Sequence, residues 1–201
     1  MTQLDICKTL FTSDVHFHHK NIVKFTNRGK DTTQDNHDEW LIELWNSQVN
    51  NQDKIYMLGD FSFSHKYDEV ADVVDRLNGQ KLFLVGNHDS HETFLQLKKD
   101  KLISNFYDTK HIKIKGNAVH MYHFAIESWN KQGHGGWHLH GHCHGNLLTQ
   151  NIGKRLDVGL DSAYNILGEH RFFTEQDIAD IMSQRKVYVT DHHKDYSNER
   201  Q

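Results

Sequence analysis

Short apolar runs alternate with helical patterns along the chain, and each run closes on a glycine, an acid, an asparagine or a histidine. KTLFTS, KIYML, KLFLV, AVHMYHF and WHLH are rich in β-branched, aromatic and leucine residues, the composition of buried strands. Between the first two, DNHDEWLIELWNSQV places Trp40, Leu41, Leu44, Trp45 and Val49 on one helical face. Between the second and third, KYDEVADVVDRLNG does the same with Val70, Val73, Val74 and Leu77, and Asn78-Gly79 supplies a left-handed stop. HIKIKGNAVHMYHF predicts a hairpin turning at Gly116-Asn117. Thr174 and Asp177 predict a capping box opening the helix TEQDIADIM, and KVYVT predicts a last strand. No repeat or low-complexity linker divides the chain. The expectation is one α/β domain over residues 1–190, then a polar, flexible tail over 191–201.

Several classes are disfavoured. The 201 residues carry a formal net charge of -4 and no long block of Lys or Arg. A protein that coats nucleic acid would show a basic face, although an enzyme touching nucleic acid only at its active site need not. No apolar stretch approaches the ~20 residues of a bilayer span, and the N-terminus lacks the pattern of a signal peptide. Cys7 and Cys143 alone make no disulfide framework. A cytoplasmic protein with no membrane partner is expected; its oligomeric state is open.

The chemistry should lie among the 18 histidines, since imidazole is the commonest metal ligand and titrates near neutral pH. KTLFTS runs into Asp14-Val15-His16, KIYML into Gly59-Asp60, and KLFLV into Gly86-Asn87-His88-Asp89. AVHMY leads to His123, and WHLH to Gly141-His142-Cys143-His144. In extended chain, residues two apart share a side, so Asp14 with His16, and His142 with His144, each aim two ligating groups at one spot. Alternation turns Cys143 away, and His138 and His140 either support ligands or pack in the sheet. Two carboxylates, one amide and four imidazoles suit Mn, Fe, Ni, Co or Zn better than Ca or Mg, which prefer all-oxygen shells. Seven ligands exceed the need of one ion; two ions sharing a bridging carboxylate is the economical reading.

The ordered series D-x-H, GD, GNHD, H and GHxH resembles the calcineurin-like metallophosphoesterase superfamily, over most of the chain up to about Gly159. SDVHFHHKNIVKF, LGDFSF, LNGQKLFLVGNHD and HFAIESWN followed by GGWHLHGHCHG resemble a small phage and bacterial branch of it. The resemblance implies a four-layer α/β/β/α sandwich, two β-sheets flanked by helices, with metals at the strand ends. It implies that Asp14, His16 and His144 hold one metal, that Asn87, His123 and His142 hold the other, and that Asp60 bridges them. His88 matches the histidine that faces the scissile phosphate without ligating. Ala125 stands where the branch has proline and His18 where it has glycine, departures that touch loop geometry and no ligand.

The activity so implied is phosphodiester hydrolysis by a metal-bridging hydroxide. The cofactors would be two divalent transition metals, Mn foremost, and the substrate a small or nucleotide-like phosphate ester. A phosphomonoesterase or a nuclease on the same core are rivals; a metal-binding scaffold is the non-enzyme alternative. Asn21 and Arg28 follow the first motif and are candidate substrate contacts, a guanidinium being suited to phosphate; a solvated Arg28 is the alternative. Trp129 is a candidate cleft wall that stacks a base, or a core residue. Asp89 either orients a neighbour or caps the helix that follows, and the cap is favoured.

Overall fold

A computed structural model describes residues 7–147 and 153–189; the tail expected over 191–201 lies outside them. Strand alternation sets the layers. Along the strand Lys54–Leu58, Ile55 and Met57 enter one apolar cluster while Tyr56 and Leu58 enter another. A sheet with two apolar faces needs a cover on each, and the sequence between its strands supplies the first as helices.

The larger sheet holds β1 (Thr9–Thr12), β2 (Lys54–Leu58), β3 (Gln80–Leu84), β4 (Asn105–Tyr107) and β9 (Phe173–Thr174) in the order β4-β3-β2-β1-β9. Its first four strands are parallel and β9 is antiparallel to β1. The connections carry α1 (Ile22–Phe25), α2 (His37–Gln48), α3 (Tyr67–Asp75) and α4 (His91–Lys99). Leu41 and Trp45 of α2, Val70 and Val74 of α3, and Phe94 and Leu97 of α4 are buried in one cluster with Leu10, Ile55, Met57 and Phe83 of the sheet. Val49, Val73 and Leu77 are buried there as expected, and Trp40 and Leu44 lie at its edge.

The smaller sheet holds β5 (Thr109–Ile114), β6 (Asn117–Tyr122), β7 (Trp137–His140) and β8 (Arg155–Asp157) in chain order. β5 and β6 are antiparallel; β6, β7 and β8 are parallel. Val119, Met121, Leu139 and Leu156 pack against Phe11, Leu58 and Leu84 of the larger sheet. α5 (Leu160–Leu167) and α6 (Glu175–Ser183) follow β8; α6 packs on β1, β8 and β9 and sends Ile178 and Met182 into the core between the sheets. The fold is an α/β sandwich of two β-sheets flanked by helices, as the sequence led one to expect.

Two local expectations change. The hairpin turns at Lys115-Gly116, not Gly116-Asn117: both have positive φ (47° and 84°), as a two-residue type I′ turn requires, and Asn117 pairs with Ile114 as the first residue of β6. Residues 186–189, all but the last of KVYVT, form no strand; Val187 and Tyr188 are 45% exposed, with none of the described strands as a ladder partner.

The carboxyl ends of the parallel strands in both sheets come together at one edge. Ser13, just past β1, bridges in parallel to Gly159, just past β8, so the sheets are joined at that edge. Phe17 bridges to Ser62 in the same way, lacing the loop after β1 to the loop after β2.

Candidate metal centre

The loops after β1 and β2 run side by side. Asp14 N–H donates to Gly59 O at 3.0 Å and His16 N–H to Asp60 O at 3.1 Å. Val15 and Phe17 turn into the core and Asp14 and His16 away from it, the shared side that D-x-H led one to expect, although Asp14 and His16 are left-handed and not in extended chain. Asp14, His16, Asp60, His142 and His144 all have φ between 47° and 68°. That region is uncommon for residues with a side chain, and clusters of such strain mark functional sites. Two glycines are dictated by the crowding. A Cβ on Gly59 (φ 96°) would lie 2.4 Å from His123 Nδ1, and one on Gly141 would lie 1.9 Å from Ser13 Oγ and 2.4 Å from Asp14 Oδ2.

Two triads gather their ligating atoms, each within 4.8 Å: Asp14, His16 and His144 in one, Asp60, His123 and His142 in the other. In the first, His16 Nε2 and His144 Nε2 are 3.3 Å apart and each lies 4.0 Å from Asp14 Oδ1. In the second, Asn87 Oδ1 lies 3.0 Å from His123 Nε2 and 2.9 Å from His142 Nδ1. Asp60 Oδ2 stands between them, 3.8 Å from His16 Nε2 and 3.5 Å from His123 Nε2. Spacings of this size match ligands sharing an ion at ~2.0–2.2 Å.

The donor set fits cations. Leu58 O accepts from His123 Nδ1 at 2.8 Å, which turns the Nε2 lone pair toward Asn87 Oδ1 and Asp60 Oδ2. Asp161 Oδ2 takes His144 Nδ1–H at 2.7 Å, which aims Nε2 at His16. Acceptors facing acceptors need a positive charge among them, as a proton or as a metal. The titrations say the same. Burial pushes the Asp14 carboxyl up to about 7, a cost that a nearby cation offsets. Burial also drives His16 down to about 2, aided by the Arg28 charge, which keeps its imidazole neutral, the form a metal requires. Burial works against a proton on His123, yet its bond to Asp60 and the charges of Asp14 and Asp60 hold it up at about 9. Asp60, despite burial, is held down at about 2 by His123.

Asp161, which the sequence reading passed over, organises the surroundings. It sits in the first turn of α5 and takes two hydrogen bonds from Arg28, at 3.0 Å to Nε and 2.9 Å to NH2. Burial opposes its charge, but Arg28 and His144 hold its carboxyl well below the usual range. The signal available was DVGLDS, two acids four apart beside a strand end; its first acid, Asp157, receives Gly145 N–H at 2.9 Å and Gly159 N–H at 2.8 Å.

The structure thus draws Asp14, His16, Asp60, Asn87, His123, His142 and His144 together, with His88 beside them at 5.6 Å between its ring and that of His16. It separates the other candidates. Arg28 is fully buried, its guanidinium taken by Asp161 and by Val15 O and Asp14 O at 2.6 and 2.5 Å, so it is neither solvated nor a substrate contact. Trp129 is 8% exposed, donates Nε1–H to Gly136 O at 2.9 Å and packs on His138, so it is not a stacking wall. Asn21 is exposed and accepts from Gln34 Nε2 at 3.0 Å. Asp89 is not the helix cap: Ser90 caps α4 through Thr93 N–H. Instead the Asp89 carboxylate receives N–H from Asp60, Phe61 and Gly86 at 2.8, 2.9 and 2.8 Å, tying the two glycine loops to each other. His138 and His140 bond to main-chain oxygens of the smaller sheet. Burial raises the Cys143 thiol to about 11.

No protein-family model matches the chain. It is 30% identical over 144 residues to an uncharacterized protein, MJ1445, of Methanocaldococcus jannaschii, covering 71% of this chain and 73% of that protein. It is 26% identical over 182 residues to the gene 66 protein of Mycobacterium phage D29, covering 78% and 89%. Among solved structures, a protein of unknown function, AQ665 of Aquifex aeolicus, superposes with a TM-score of 0.66 at 20% identity, over 88% of this chain and all of that one, which shows a shared fold. By its identity and coverage with the archaeal protein, the chain belongs to the MJ1445 family.

Proposed function

We propose that the chain is a metal-dependent phosphoesterase that hydrolyses phosphodiesters of nucleotide-like compounds, with two divalent ions and Mn foremost among them. The observation that carries this reading is Asp60 Oδ2, one carboxylate oxygen placed between two sets of ligands. Asp14, His16 and His144 would hold one ion, Asn87, His123 and His142 the other, and Asp60 both. Ions so bound supply positive charge for the phosphate oxygens and acidify water.

The remaining groups do the work of orientation. His142 N–H donates to both Asp14 oxygens, at 3.0 and 2.9 Å, and holds that carboxylate still. His88 N–H donates to Asp60 Oδ1 at 2.9 Å, which fixes the backbone and leaves the ring free for the substrate. We assign that ring the proton for the departing alkoxide. The diester preference is supported by Arg28: its guanidinium, suited to a doubly charged monoester, is occupied by Asp161. Relatives in mycobacteriophages support a setting in the cytoplasm of a bacterial or phage-infected cell.

The test is metal content after dialysis, followed by turnover of bis-p-nitrophenyl phosphate and p-nitrophenyl phosphate with added Mn. Two equivalents of metal and preferential diester turnover are expected. Faster monoester turnover would replace the diester reading with a phosphatase. Bound metal with neither activity would remove the hydrolase reading.

A further inference from the structure

The loop after β2 carries a second aromatic residue that the metal chemistry leaves unused. Phe61 turns into the core and is fully buried, whereas Phe63, two residues on, is 47% exposed. Single exposed apolar side chains are ordinary on any surface. Three things set Phe63 apart. Its N–H donates to Phe17 O at 2.8 Å, so its backbone is fastened to the residue that follows His16. Its ring lies parallel to His19, 4.3 Å between centroids at 12°. The same ring stands 5.1 Å from His88, which in turn stands 5.6 Å from His16. A half-open aromatic plate is therefore held in place two ring contacts from a metal-ligand histidine, next to the side chain assigned to the leaving group.

We infer that Phe63 is a specificity-determining residue, the platform on which a planar aromatic group of the substrate, a nucleobase by the chemistry proposed above, stacks while its phosphate sits at the ligand triads. The inference rests on the phosphoesterase reading and deepens it by naming the residue that recognises the base. The placement argues for it. A flat apolar face beside a cluster of acids and imidazoles would hold the two unlike ends of a nucleotide at once, and every base offers a π-face. Backing by His19 and His88 means that the ring keeps its plane without ordering on binding, which lowers the entropic cost of the stack.

The experiment is equilibrium binding to the Mn-loaded protein by calorimetry, comparing AMP with ribose 5-phosphate. The two ligands share sugar and phosphate and differ in the base. In the wild type AMP should bind at least about fivefold tighter, the low end for one stacked base. In Phe63→Leu, which keeps apolar bulk and loses the π-face, the ratio of the two affinities should fall to near one, and in Phe63→Trp it should persist. Adenine H2 and H8 proton resonances should move upfield on binding to the wild type and the Trp variant, not to the Leu variant. A wild-type ratio near one, or a ratio unchanged in Phe63→Leu, overturns the platform while leaving the phosphate site standing. Failure of both ligands to bind, together with no turnover of the reporter esters, overturns the phosphoesterase reading and the platform with it.

Discussion

Asp60 and Asn differ by one charge and almost nothing in size, so Asp60→Asn isolates what the carboxylate does between the two triads. The expected outcome is a fall in retained metal from two equivalents to one or fewer, read by elemental analysis after dialysis, with the backbone turn preserved in the circular dichroism spectrum. His88→Ala should behave oppositely. Metal content is expected to match the wild type while diester turnover falls by ~10²–10⁴-fold, the usual range for losing a general acid. Arg28→Met is a third case. It leaves the buried Asp161 carboxylate with only His144 for a partner, and breaking such a buried pair typically costs ~3–5 kcal/mol, measurable by urea unfolding. Because Asp161 also orients His144, weakened metal retention should accompany the lost stability.

At the scale of elements, α6 offers the clearest test. Thr174 Oγ1 receives Asp177 N–H at 3.1 Å while Asp177 Oδ2 receives Thr174 N–H at 2.8 Å, the reciprocal box expected from the sequence. Thr174→Ala should cost about 1 kcal/mol in unfolding free energy. Arg171, then the Thr174 bonds, hold the Asp177 carboxyl down at about 2 from its ordinary 3.8. With the folded value depressed, the unfolded chain takes up the proton first as pH falls. The contribution is therefore full above pH ~4 and lost as pH drops toward ~2, and Asp177→Asn should flatten that part of the stability profile. Elements of this kind were legible because their signals are local: caps, apolar periods, and acids and histidines two apart at strand ends. What could not be read depended on distant partners. Nothing near Arg28 in sequence says that Asp161 meets it, and nothing near Trp129 says that Gly136 and His138 bury it. Asp89 looked like a cap because Ser90, the cap itself, stands beside it. The short strands β4, β8 and β9 were invisible because two or three residues carry no period.

For the whole molecule, the proposed ligands come from both sheets, and metal binding should therefore stabilise their docking. At a free Mn concentration near 100 times its Kd, linkage adds ~2.7 kcal/mol, or a rise of about 5–10 °C in Tm for a chain of this size. Differential scanning calorimetry with Mn, then with chelator in excess, should show the rise and its reversal. An unchanged Tm would mean that the triads do not hold metal in the folded protein. No helix among the described residues is long and apolar enough to cross a membrane.

The left-handed backbone at Asp14, His16, Asp60, His142 and His144 carries a consequence for descent. Besides glycine, the residues that tolerate this conformation best are Asn, Asp and His. The residue types that the proposed metal chemistry asks for are thus also the types the turns accept. A lineage that abandoned the chemistry while keeping the sandwich would drift at these positions toward Asn or Gly, not toward Ala, Val or Leu. Asparagine and glycine at the old ligand sites are the fossil that such a decayed cousin should leave.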